Sequence, residues 1–101
     1  ADNTNTVKSG GDFTTLNNLD KLYTQGYDIW MLIDMQMLTN GTKFSAFPNH
    51  WVLYKGNLLI NSTENKASFS VFTWGESKFH KITINESYFK KYFYGYIKAK
   101  W

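Results

Sequence analysis

Apolar residues first recur at intervals of three and four along this chain, and then in alternation. In the segment 12–26, DFTTLNNLDKLYTQG, the residues Leu16, Leu19, Leu22 and Tyr23 fall on one helical face. Asp12 or Thr14 can cap its start, and Gly26 suits the left-handed position after its end. The segment 27–38, YDIWMLIDMQML, is apolar nearly throughout. Tyr, Ile and Trp at its front predict a strand over Ile29–Ile33 buried on both faces, with a helix as the rival because Met and Leu favour helices. TNGT (39–42) reads as a turn. HWVLY (50–54) alternates, with His50, Val52 and Tyr54 on one face and Trp51 and Leu53 on the other. KGN (55–57) is a tight turn and LLIN (58–61) a returning hairpin strand. SFSVFTW (68–74) and FHKITI (79–84) are further strands. Asn85 caps a short helix over 86–93, and YGYIKAKW (94–101) closes as a strand. Residues 1–11 are polar and read as a flexible lead-in to a single domain over 12–101, which is either whole or part of a larger one. The expected fold is α+β: a curled antiparallel sheet of about five to six strands, an N-terminal helix and a short C-terminal helix.

Composition narrows the function classes. A chain of 101 residues is one small domain or a piece of a larger one, and 19% aromatic residues fill a core quickly. No run approaches the ~20 apolar residues that span a bilayer. The net charge of +3 comes from scattered lysines with no arginine, which argues against sequence-reading contact with nucleic acid. There is no cysteine, so disulfides, thiolate catalysis and Cys-type zinc sites are excluded within the chain. Two histidines and eight scattered carboxylates give no metal-ligand spacing, and Gly10-Gly11 lacks the Lys and Ser/Thr of a phosphate loop, so no metal or cofactor is expected. The Ala1-Asp2 start suits a mature secreted protein and equally suits a fragment boundary.

His50 is the strongest candidate for chemistry. At the first position of a strand, an imidazole can project into a cleft from a rigid backbone, as a general base requires. It can equally be a polar residue that begins a strand and bonds nearby backbone. Asp34, inside an apolar run, is expected to end its strand and cap a turn. His80 is expected to face solvent. Trp74, in FTWG, reads as a core aromatic or as the floor of a cleft beside His50, with Trp51 as a second cleft aromatic.

Three segments in order carry a resemblance: LYTQGYDIWMLID (22–34), FPNHWVLYKG (47–56) and SFSVFTWG (68–75). Together they resemble the C-terminal, histidine-bearing half of papain-like cysteine peptidases, in particular the bacteriocin-processing (C39-like) and toxin- or effector-associated bacterial forms. The resemblance implies that His50 is the catalytic base and that the following strand supplies an Asp or Asn to orient its ring. This chain has Phe72-Thr73-Trp74-Gly75 there, which leaves Asn61 as a substitute orienter. It also implies a protein or peptide substrate and a secreted or translocated bacterial protein. The family's cysteine and oxyanion-hole glutamine have no match, so the chain alone is expected to be inactive. The nucleophile would come from a missing N-terminal segment or another chain. The alternative is a small non-enzymatic interaction domain with an aromatic-rich binding face.

Overall fold

A computed structural model describes residues 2–4, 11–38, 49–73 and 79–100. In chain order these form β1 (Asp2–Thr4), α1 (Phe13–Thr24), β2 (Asp28–Asp34), a 3-10 turn (Met35–Met37), β3 (Asn49–Tyr54), β4 (Leu59–Asn61), β5 (Lys66–Phe72), β6 (His80–Asn85), α2 (Glu86–Tyr92) and β7 (Phe93–Lys100). The architecture is α+β, as the pattern predicts. Every strand pairing is antiparallel, in the order β1-β7-β2-β3-β5, with β4 and β6 also paired to β5.

Strands β3 and β4 share one edge of β5, so the seven strands among the described residues occupy six positions. Tyr54 faces Val71 and Leu59 faces Ser68, so five steps of chain on one side span three on the other. The two extra residues are absorbed by a bend at Gly56 (φ 77°) and Asn57 (φ 57°), both left-handed. Backbone bonds from Lys55 N–H to Ser70 O (2.8 Å) and from Ser70 N–H to Gly56 O (2.9 Å) keep β5 paired across the bend.

One face of the sheet carries Ile29, Met31, Ile33, Val52, Tyr54, Phe69, Val71 and Ile82, all fully or almost fully buried. Leu16 and Leu19 of α1 and Phe89 of α2 pack on this inner face. Phe89 is the hub: its ring meets Phe13 at 5.8 Å, Phe69 at 6.3 Å and Phe93 at 4.9 Å. Edge-to-face and offset contacts of this kind add to simple area burial. Asp12 caps α1, its Oδ1 accepting from the amides of Thr14 (3.0 Å) and Thr15 (3.2 Å). The Thr15 amide holds the Asp12 carboxyl below its ordinary range. Glu86 Oε2 accepts from Phe13 N–H at 3.1 Å, which ties the first turn of α1 to the start of α2.

The structure corrects four expectations. Strand β2 alternates between buried and half-buried positions rather than being buried on both faces, because the helices cover only one side of the sheet. Residues 2–4 of the expected lead-in pair with Lys98–Lys100 as an edge strand. Residues 58–61 do not return on β3 as a hairpin; β4 continues along the edge of β5 that β3 also pairs. His80 lies opposite Val71 and shares the inner face with Ile82 and Ile84, so it is half-buried instead of solvent-facing.

Candidate functional site

The site forms where β2 and β5 end and β3 begins. His50 lies opposite Ile33, and Ile33 lies opposite Phe93, so the imidazole heads an inner-face row beside the end of α2. It points the same way as Val52 and Tyr54, the alternation read from the sequence, and it is half-buried. Thr73 follows the last residue of β5 on the same face as Val71 and is 4% exposed. His50 Nε2 and Thr73 Oγ1 are 2.6 Å apart.

That contact has a chemical consequence. With the proton on Nε2, the ring donates to the Thr73 hydroxyl and Nδ1 keeps a lone pair able to take a proton. With the proton on Nδ1, Nε2 accepts from the same hydroxyl. A carboxylate or amide oxygen accepts only and would select the first tautomer, whereas a hydroxyl accommodates both. Thr73 therefore holds the ring in place without fixing where its proton sits.

Asp34 frames the other side of this end. It closes β2, where its Oδ1 accepts from Gln36 N–H at 2.9 Å and begins the 3-10 turn. Its Oδ2 accepts from Tyr94 OH at 2.9 Å. Tyr94 reaches it because β7 carries one extra residue there: Leu32 faces Gly95 while Ile33 faces Phe93. Burial and the Asp34 carboxylate both raise the Tyr94 phenol above its ordinary range. Asp34 is 7% exposed, so its oxygens need these two donors.

The structure does not bring Asn61 to His50. Asn61 pairs with Lys66 at the start of β5, whereas Thr73 follows its end, and seven residues of strand span roughly 23 Å. Asn61 Oδ1 instead accepts from Glu64 N–H at 3.1 Å, closing the β4–β5 turn. Trp51 lies on the outer face opposite Leu32, 37% exposed and turned away from the His50 side. Trp74 lies outside the described residues. Thr73 was the residue missed; its position in FTWG, where the resemblance expects an orienter, was the available signal.

Among the described residues there is no group of three or more His, Asp or Glu side chains able to hold a metal ion, and no helix long and apolar enough to cross a membrane. No family model, curated protein or solved structure matches the chain.

Proposed function

We propose that this chain is the histidine-bearing portion of a papain-like cysteine hydrolase acting on a peptide or amide bond, with His50 as general base and Thr73 as the residue that orients it. One observation supports this reading: the 2.6 Å contact between His50 Nε2 and Thr73 Oγ1. It engages one ring nitrogen with a buried side chain and leaves Nδ1 for a nucleophile. The nucleophile is a thiol from outside these 101 residues, since the chain has no cysteine. In that arrangement Nδ1 takes the thiol proton, the thiolate attacks the carbonyl carbon, and the imidazolium returns the proton to the leaving amine. The test is to read the gene on both sides of this segment for a cysteine at a helix start and to assay the encoded protein on peptide and amide substrates. Loss of turnover in both the Cys→Ala and His50→Ala proteins, with the fold intact, supports the reading. Absence of any such cysteine together with absence of turnover overturns it.

A second reading, a non-enzymatic interaction domain, is favoured by the outer face of the sheet. Ile97, Trp30, Leu53 and Phe72 form a cross-strand row, and Leu32 and Trp51 form the next. Phe79 extends the band, 59% exposed, with its ring edge-on to Phe72. Trp51 and Phe79 are the exposed members of this otherwise half-buried band, and exposed aromatics set in an apolar surface mark contact faces. Partner capture that survives Trp51→Lys and Phe79→Lys would rule out this face.

A further inference from the structure

Helix α2, the 3-10 turn after β2 and the Lys66 end of the β5–β6 edge line an open pocket of about 210 Å³. Its size matches a single ring: an engineered apolar cavity of roughly 150 Å³ accommodates benzene. Met37 (2% exposed) and Ile84 (8%) supply apolar lining. Tyr88 and Tyr92 stack nearly parallel beside it, with centroids 5.9 Å apart at 4°, and Tyr88 is 51% exposed although aromatic.

The polar lining is Gln36, Lys66, Thr83 and Asn85. Asn85 Oδ1 already accepts from Tyr88 N–H (2.9 Å) and Ser87 Oγ (2.9 Å), so its amide NH2 is what it has left to give. Lys66 lies opposite Asn85 in the β5–β6 register and also lines the cavity. Its contact with Glu64, at 3.9 Å between side chains 53% and 61% exposed, is too long and too solvated to neutralise the ammonium. An apolar lining, an aromatic wall and a polar rim whose one charge is the Lys66 ammonium fit a ring that bears a single negative charge.

We propose that this cavity binds a small ring carboxylate, either an aromatic acid or an acidic sugar, with the ring against Tyr88 and the carboxylate toward Lys66 and Asn85. Its charged rim is removed from His50, since Lys66 and Thr73 stand at opposite ends of β5, roughly 23 Å apart along the strand. On the facing wall, Gln36, Met37 and Tyr92 lie toward the end of β2 that His50 pairs with. Its test reads ligand binding at Lys66 and Asn85, not turnover, so its outcome is separate from that of the hydrolase reading.

The test is titration of the ¹⁵N-labelled chain with benzoate, with glucuronate and with benzamide as the uncharged control, following backbone amides. Shifts at Lys66, Thr83, Asn85 and Tyr88 with a carboxylate, weakened about fivefold in Lys66→Gln while benzamide is unaffected, establish the site. Loss of the same shifts in Tyr88→Ala supports the ring contact. Tighter binding of benzoate than of glucuronate assigns an aromatic acid, and the reverse assigns an acidic sugar. The proposal is overturned if neither carboxylate moves these amides, if benzamide binds as well as benzoate, or if Lys66→Gln changes nothing.

Discussion

The hydroxyl of Tyr54, at the centre of the sheet, donates to Asp20 Oδ1 on α1 at 2.7 Å. The ring is fully buried between Tyr23, edge-on at 5.4 Å, and Phe69 at 5.9 Å, so this bond is the polar pin in an otherwise apolar interface. Burial first, and Asp20 second, hold the Tyr54 phenol well above its ordinary value of 10.0. A group whose folded pKa is raised contributes stability that is complete below its unfolded pKa. That contribution is lost as pH climbs past it, so the alkaline limb of the stability curve above about pH 10 carries a Tyr54 component. Tyr54→Phe is expected to cost about 1–2 kcal/mol at neutral pH and to flatten that limb. Urea denaturation at pH 7 and pH 10.5 checks both.

Thr73→Val removes the partner of His50 Nε2 without changing side-chain shape much. The expected cost is about 1 kcal/mol, together with a change in tautomer balance read from the imidazole ¹⁵N shifts. Thr73→Asn should instead drive the ring toward the Nε2–H form, provided the amide oxygen faces it. Identical imidazole spectra in wild type and Thr73→Val would show that the 2.6 Å contact does not persist in solution.

Asp34→Ala strips the acceptors from Gln36 N–H and Tyr94 OH in one step. Losing both bonds, whose donor residues are half-buried, is expected to cost about 1–3 kcal/mol. Asp34→Asn keeps an acceptor oxygen and should cost roughly half as much. Thermal unfolding of the two variants beside wild type measures the difference.

Gly56→Ala and Gly26→Ala separate backbone strain from steric clash. Both glycines have left-handed φ, 77° and 98°. A Cβ on Gly56 would stand 2.8 Å from Tyr23 Cε2, whereas one on Gly26 meets nothing closer than Lys100 Cε at 3.8 Å. Gly26→Ala is expected to cost about 1 kcal/mol. Gly56→Ala should cost more, about 2–3 kcal/mol, because Tyr23 must leave the edge of Tyr54. Equal losses would show that Tyr23 yields freely.

The alternation in HWVLY was legible because a single face of β3 is buried, and burial enforces a period of two. Strand β2 hid the same period. Its outer positions, Trp30 and Leu32, are apolar although only half-buried, so composition could not separate the faces. The helix over 13–24 was readable from its leucine spacing and from Asp12, since both signals are local. The partner of His50 was not. Thr73 lies 23 residues away, and the register that joins them depends on the two-residue bend between β3 and β4. Asn61 stood as a substitute because 72–75 holds no Asp or Asn, and β4, beyond the same bend, carries it away along β5. The burial of His80 was not legible because a neighbouring Lys81 says nothing about which side of β6 meets the helices.

The last strand in the sequence is not last in the sheet. β7 inserts between β1 and β2, and it arrives there from β6, at the opposite margin, by way of α2. During synthesis, then, β2 has an open edge and β1 has no partner until residues 93–100 have left the ribosome. Assembly of this sheet waits for β7, and a nascent chain stalled before Phe93 would expose the hydrogen-bonding edge of its most apolar strand.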